Sequence, residues 1–372
     1  MKSFIILAII STVALCSHGF IGPMRNYKDS EGLGHVERHG QLQAVNGRIV
    51  NQYGDNHNTH GMSMFWSQWS NFWNADVVNW LVSDWKIKIL RCAMAANQGG
   101  YLDDPTGNQN KLTTVVDAAI ANDIYAIIDW HIEGGNIQFL DRAKVFFDHM
   151  AKKYGKNNHV MYEGYNEPTY ESWGDLKNYH ANVLGCIRAY TNNLYIAGNP
   201  GNSSQPHVAC DDRLDGVNIA YTLHFYAASH KQEYRDRANS AIGRGCAVAI
   251  SEWGTCEYTG NGFVDENESR TWLNWANEKG VLTANWSLND KPESCSALTP
   301  GAPTNGGWND GQLTQSGHFM KNFLNGGNGP HPTPGNGCCS WNTDCRHNSD
   351  RGDWCDQAPG NCTECGGHWI NL

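Results

Sequence analysis

The sequence predicts an α/β chain: a closed (β/α)8 barrel followed by a small disulfide-rich C-terminal module. Three observations lead there. Eight short apolar runs, most of them about 30 to 40 residues apart, alternate with helical patterns. Residues 325–337 are rich in Gly, Pro and Asn and carry no apolar periodicity. Six cysteines then fall within the 28 residues from Cys338 to Cys365.

Taken in order, the chain opens with a charged Met1-Lys2, an apolar run from Phe4 to Leu15, and small residues around Ala14 to Gly19. That run is too short to cross a bilayer and reads as an export signal over residues 1–19. The mature protein is therefore expected to be secreted, with no membrane partner. Residues 20–324, about 300 in all, have the size of a barrel. The strand candidates are Thr59–Met64, Ile87–Cys92, Tyr125–Trp130, Val160–Tyr165, Leu194–Ala197, Ile219–Phe225, Ala247–Ile250 and Val281–Trp286. Helical patterns lie at Asp76–Asp84, Leu112–Asn122, Ile137–Tyr154, Asp175–Tyr190 and Glu268–Glu278. An open doubly wound sheet is the alternative. No G-x-G-x-x-G follows any run, which weakens its nucleotide-binding version.

Composition narrows the function. Charged residues are 17%, aromatics 11%, and the net charge is −10. Such a chain is not intrinsically disordered and offers no cationic groove, so nucleic acid is excluded as a partner. Fifteen Trp and fifteen Tyr exceed what packing alone asks for and point to recognition surfaces. Outside the signal the cysteines divide evenly. Cys92, Cys186, Cys210, Cys246, Cys256 and Cys295 come before the linker, and six come after it. In an exported chain both sets read as disulfides, with 15 connectivities open for each. Asn202, Asn267, Asn285 and Asn361 begin glycosylation sequons.

Two runs end in an acid among polar and aromatic residues: Tyr162-Glu163-Gly164-Tyr165-Asn166-Glu167-Pro168 and Ala249-Ile250-Ser251-Glu252-Trp253-Gly254-Thr255. The C-terminal strand ends of a barrel surround its active site. Runs four and seven lie across the barrel, so Glu167 and Glu252 are placed to face each other. Two carboxyls about 5 to 5.5 Å apart are what a retaining glycosidase requires. Either acid alone could be a helix cap after a strand. Other runs deliver His60, Arg91, His131, His224, Tyr226 and Trp286 at what is expected to be the same rim.

From about Asn46 to Phe323 the chain resembles glycoside hydrolase family 5, most closely its cellulase-type endoglucanases. The matching segments are His60-Gly61-Met62, Ile89-Leu90-Arg91, Ile128-Asp129-Trp130-His131, Tyr165-Asn166-Glu167-Pro168, Leu223-His224-Phe225-Tyr226-Ala227, Ser251-Glu252-Trp253-Gly254-Thr255 and Asn285-Trp286-Ser287-Leu288-Asn289-Asp290-Lys291. The resemblance implies that Glu167 is the general acid/base and Glu252 the nucleophile. It implies that Asn166 bonds the sugar 2-hydroxyl and that Arg91 and Tyr226 hold the nucleophile. His60, His131 and His224 are implied as substrate and acid/base neighbours, and Trp286 and Lys291 as subsite contacts. Two departures carry expectations. Gly164 stands where the family carries a larger apolar residue, which predicts looser packing. Met64-Phe65-Trp66 replaces the commoner aromatic pair, which predicts altered glycone subsites.

The chemistry needs two acids with split proton affinities. Glu167 must be protonated to assist the leaving oxygen, and Glu252 must be ionised to attack. Arg91 favours the ionised Glu252, whose charge then keeps Glu167 protonated. No metal or cofactor is required. The apolar faces of β-glucose units stack on indoles, and Trp66, Trp69, Trp73, Trp130, Trp253 and Trp286 are the candidates, with Trp286 preferred. Trp69 and Trp73 also read as a packed helical face, and Trp253 as packing beneath the site.

Residues 338–372 cannot bury a core without staples. With Trp341, Trp354 and Trp369 freed for the surface, they read as a carbohydrate-binding module, against a docking cap or a zinc site. The whole is read as a secreted, monomeric endo-β-1,4-glucanase with a polysaccharide substrate. A β-mannanase, xylanase or mixed-linkage glucanase, or a non-catalytic carbohydrate-binding protein, are the alternatives.

Overall fold

The protein is described by a computed structural model over residues 32–56, 58–327, 337–340 and 368–371. All eight apolar runs are strands: β1 (His60–Met64), β2 (Ile89–Ala95), β3 (Tyr125–His131), β4 (Val160–Glu163), β5 (Tyr195–Ala197), β6 (Ile219–Thr222), β7 (Ala247–Gly254) and β8 (Thr283–Leu288). Each pairs in parallel with the next. β8 pairs in parallel with β1, which closes the barrel and rules out the open sheet.

The five helical patterns become the helices Ala75–Ser83, Pro105–Ala121, Leu140–Tyr154, Trp173–Arg188 and Glu266–Lys279. Several begin where a short polar side chain caps the first turn: Asn74, Asp104, Ser172 and Asp265 each accept a backbone N–H. Two further helices, Gln232–Gly243 and Gln315–Leu324, escape the periodicity. The first buries only Arg235, Ala238 and Ala241, too thin an apolar stripe to read.

Strand parity decides what faces the barrel axis. Ile89, Tyr125, Ile127, Met161, Ile196, Ala220, Ala247 and Ala249 form an inner floor, joined by Val36, Leu42 and Ile49 at the N-terminal end. Gln43–Val45 and Arg48–Val50 form a small antiparallel hairpin there. The alternate positions Leu90, Cys92, Met94, Ala126, Ile128, Trp130, Tyr162, Val248 and Ile250 pack outward against the helices.

Among the described residues two disulfides form, Cys210–Cys246 and Cys256–Cys295. The expectation that all six barrel cysteines pair is corrected. Cys92 and Cys186 are free, because Cys92 is on the outward face of β2 and Cys186 is on the helix Trp173–Arg188. Looser packing at Gly164 is also corrected. A Cβ there would lie 1.9 Å from Tyr195 Oη, which is hydrogen-bonded to His180 Nδ1 at 2.7 Å. The site is filled by a neighbouring polar pair, and glycine is what admits it.

Residues 1–19, expected to be an export signal, and most of residues 325–372, expected to be a linker and cysteine-rich module and including Trp341 and Trp354, lie outside the described residues. Of the module, the strands Gly337–Ser340 and His368–Asn371 pair antiparallel. Among the described residues no helix is long and apolar enough to cross a membrane.

Candidate active site

The C-terminal strand ends open into a cleft of about 540 Å³. Phe65, Trp66, His131, Asn166, Glu167, His224, Tyr226, Glu252, Trp286 and Lys291 line it, so eight of the ten residues singled out in sequence meet here. A ninth, Arg91, lies directly beneath and is completely buried.

Glu252 sits on β7, where the register against β8 shifts between Ile250 and Trp253. Its Oε2 accepts from Arg91 Nη1 at 2.8 Å and its Oε1 from the Tyr226 hydroxyl at 2.8 Å. Both oxygens are therefore fixed. Glu167 follows β4 on a segment that runs on beside β3, with its N–H on Ile132 O at 3.1 Å and its carbonyl on Gly134 N at 2.9 Å. Oxygens of Glu167 and Glu252 and a ring nitrogen of His224 all lie within 4.8 Å of one another.

Under this pair lies a charged layer in which Arg91 meets Asp129 and Glu163, two acids to which the sequence assigns no role. Arg91 contacts Glu163 at 2.7 Å, Asp129 at 2.9 Å and Asn166 Oδ1 at 2.6 Å. Ser251 donates to Glu163 Oε1 at 2.5 Å, and His224 Nε2 reaches Ser251 Oγ at 3.1 Å. Burial would raise the Glu163 carboxyl, but the Arg91 charge and the His224 and Arg91 hydrogen bonds outweigh it and bring it down to about 2. Burial, with Glu163 and Glu167 adding to it against Arg91 and His224, holds Asp129 above the ordinary range. Strand parity is the signal that finds this layer: Asp129 and His131 share a face of β3, and Glu163 follows Met161 on the inner face of β4.

The histidines separate by environment. Burial would lower His224, yet its bonds to Glu163 and Glu167 raise it to about 9. Its Nδ1–H donates to Glu167 Oε1 at 2.9 Å. Burial would likewise raise Glu167, and the His224 bond and charge, with Asn202 Nδ2 on Oε2 at 3.2 Å, hold it below its ordinary value. The sequence argument has Glu252 keeping Glu167 protonated; His224 and Asn202 act on Glu167 in the opposite direction. His131 is lowered to about 3 by burial and Arg91. It stacks on Trp286 with centroids 5.1 Å apart and planes 7° apart.

His60 is not at the cleft. It begins β1, so it sits at the opposite end of the barrel, on the outward face shared with Met62 and Met64. Its Nδ1 accepts from Thr283 and its Nε2–H donates to Asn277 Oδ1 at 2.7 Å. Burial lowers it to about 4. Trp130 is also corrected as a stacking candidate, and Trp253 takes its packing alternative. They fall on the outward parity of β3 and β7 and are fully buried, Trp130 against Tyr101 and Phe146, Trp253 against Phe225. Trp73 is buried with its indole N–H on Phe65 O, while Trp69 is 57% exposed and 5.5 Å from Phe65. Trp66, Trp286 and Phe65 remain as the indole and phenyl surfaces in the cleft, and Lys291 Nζ lies 2.6 Å from Glu293.

Several residues that line the cleft are not predicted from the sequence as site residues, Glu133, Tyr258 and Asn202 among them. Glu133 is raised to about 6 by burial and by the charges of Glu167 and Glu252. Tyr258 stands 68% exposed on a loop pinned by Cys256–Cys295. Asn202 had been noted only as a sequon; its amide is occupied with Glu167, and the sequon residue Asn285 is buried in β8.

Comparison with known proteins places this arrangement. The endoglucanase of Clostridium saccharobutylicum is 39% identical over 295 residues, 78% of this chain and 66% of that protein. Endoglucanase N of Pectobacterium atrosepticum is 41% identical over 298 residues, covering 78% and 67%. The chain thus spans about two thirds of the length of these curated relatives. Among solved structures, a Cytophaga hutchinsonii protein superposes with a TM-score of 0.77 at 40% identity, covering 78% of this chain and 96% of that one. The catalytic domain of a Thermobifida fusca endoglucanase gives 0.76 at 30% identity, covering 79% and 100%. Residues 50–292 match the cellulase family, and the chain belongs to it, as a member of glycosyl hydrolase family 5.

Proposed function

We propose that the protein is an endo-β-1,4-glucanase that cleaves internal bonds of cellulose or soluble β-glucans with retention of configuration. The observation that carries this is the carboxyl pair: Glu167 and Glu252 oxygens within 4.8 Å of each other across an aromatic cleft. That spacing leaves no room for a water between the Glu252 carboxylate and the sugar, and suits direct attack by that carboxylate. The family relatives support the glucan, and one related structure is that of the Thermobifida fusca endoglucanase in complex with cellotetraose.

Glu252, with both oxygens held, attacks the anomeric carbon as the bond to the leaving oxygen breaks. Glu167 gives that oxygen a proton. With the proton of the resting pair on His224 Nδ1, substrate entry completes the acid by passing it across the 2.9 Å hydrogen bond to Glu167 Oε1. In the second half Glu167 takes a proton from water, the water oxygen bonds the anomeric carbon, and Glu252 leaves as carboxylate. Asn166, its Oδ1 occupied by Arg91, is left with Nδ2 to meet a sugar hydroxyl. Trp286, squared by His131, supplies a stacking face. Lys291 extends the subsites. The same reading makes residues 1–19 an export signal and residues 338–372 a module, tethered by 325–337, that keeps a monomeric enzyme near its polymer.

The test is viscosity loss and reducing-sugar release on carboxymethyl-cellulose, β-mannan and xylan. Rapid thinning of the cellulose derivative, absent in Glu252→Ala, is expected. Activity confined to mannan or xylan would move the substrate; retained turnover in the variant would remove Glu252 as nucleophile.

A further inference from the structure

The loop after β5 makes an unusual turn. Gly201, Asn202 and Ser203 are consecutive residues in the left-handed region, with φ of 66°, 58° and 55°. Glycine adopts this freely and asparagine tolerates it, but serine does so at a cost. Three contacts hold the turn in place. Asn202 N–H donates to Pro168 O at 2.8 Å, Ser203 Oγ donates to Asn166 O at 2.6 Å, and His224 N–H donates to Ser203 O at 2.7 Å. The turn therefore grips the backbone on both sides of Glu167 and the backbone of His224. Its one side chain aimed at the carboxyl pair is Asn202, whose Nδ2 donates to Glu167 Oε2 at 3.2 Å. His224 occupies the other oxygen.

We propose that Asn202 is a positioning residue for the acid/base carboxyl: the left-handed turn presents its amide to Oε2, fixing the aim of Glu167 and favouring its ionised form. The inference rests on the acid/base reading of Glu167. An N–H donor to a carboxylate stabilises the charged state over the neutral one. The other groups around Glu167 are His131 and Glu133 from β3 and its loop, His224, Tyr226 and His230 from the segment after β6, and Glu252 from β7. Arg91, Asp129 and Glu163 lie in the layer beneath. Of the cleft residues, Asn202 is the neutral donor on Glu167 Oε2, so exchanging it changes the proton affinity without removing a charge. Its role is to ease the second half of the reaction, in which Glu167 must exist as a base, at some expense to the first.

Two substitutions keep the turn and remove the donor. Asn202→Gly relieves the left-handed backbone, and Asn202→Asp is isosteric and tolerates the same φ. Both are made in the full oxidised chain from a host that does not N-glycosylate. The basic limb of kcat on a soluble β-glucan, where Glu167 loses its proton with substrate bound, is expected to rise by about half to one pH unit in Asn202→Gly. It should rise further in Asn202→Asp, whose charge opposes that of Glu167. A carbon-13 titration of the Glu167 carboxyl in the free protein should move the same way. That second readout needs no turnover, so a failure of the glucanase reading leaves it intact. Unmoved limbs and an unmoved carboxyl titration in both variants would overturn the proposal, even if activity fell uniformly across pH.

Discussion

Glu163→Gln tests the layer under the Glu167–Glu252 pair. In the native barrel the Glu163 carboxyl falls from 4.5 to about 2, against the push of burial, because Arg91 Nε sits 2.7 Å from Oε2 and His224 Nε2 3.6 Å from Oε1. A shift of that size corresponds to about 3 kcal/mol of stabilisation. Because the folded value is depressed, the stabilisation is complete above pH 4.5 and is lost as pH falls toward 2. His224 runs the other way. Raised from 6.5 to about 9, it stabilises fully below pH 6.5 and loses that contribution as pH climbs through 9. The wild-type protein should therefore be most stable between these limits. Glutamine keeps the shape and an acceptor for Arg91 but abolishes the charge. At pH 6 the urea midpoint should fall by about 1 M, given a slope near 3 kcal/mol per M for a domain this large. The acid slope between pH 4.5 and 3 should flatten, and the alkaline loss should begin earlier because His224 has lost a partner. Tryptophan fluorescence across a urea series at several pH values reads all three. Midpoints within about 0.2 M of wild type, with the same acid slope, would refute the view that an ionised Glu163 anchors the site.

Tyr226→Phe removes the hydroxyl on Glu252 Oε1. It should lower kcat by about 10- to 100-fold with little change in KM, read by steady-state kinetics on a soluble glucan; a pure KM effect would place Tyr226 in binding instead. Trp286→Ala should raise KM for cello-oligosaccharides by roughly 10-fold through loss of the stacking face, and unchanged KM would move that subsite elsewhere. His60→Ala should cost about 2 kcal/mol of stability through its two lost hydrogen bonds and leave KM unaltered, since the ring lies at the far end of the barrel. A KM shift with a normal denaturation curve would return His60 to the cleft.

The strand runs were readable because parallel strands are buried on both faces and so stand out as short apolar blocks. The two acids were readable because each interrupts such a block at its C-terminal end. What misled was treating every polar or aromatic residue near a run as equivalent. His60 begins β1 rather than ending it. Trp130 and Trp253 stand on the wrong parity, one residue from His131 and Glu252, and turn into the helix layer. The helix Gln232–Gly243 was invisible because it meets the barrel through arginine and alanine rather than an apolar stripe. Cysteine parity in number implied pairing, but a disulfide needs Cα atoms within about 7 Å, which counting does not test.

Proton placement is the part that no motif carries. The sequence argument split two acids by their mutual charge and put the proton on Glu167. The structure surrounds Glu167 with donors, the His224 imidazole on one oxygen and the Asn202 amide on the other. It chains His224 through Ser251 to the ionised Glu163. His224 is thus raised by Glu167 at Nδ1 and by Glu163 beyond Ser251 at Nε2. The carboxyl pair is set by a stack: apolar residues at the floor, Arg91 with Asp129 and Glu163 in the middle, and Glu167 and Glu252 above, lining the cleft. Motifs mark the top of that stack, whereas the acid strength of Glu167 is decided in the layer below and by one turn after β5.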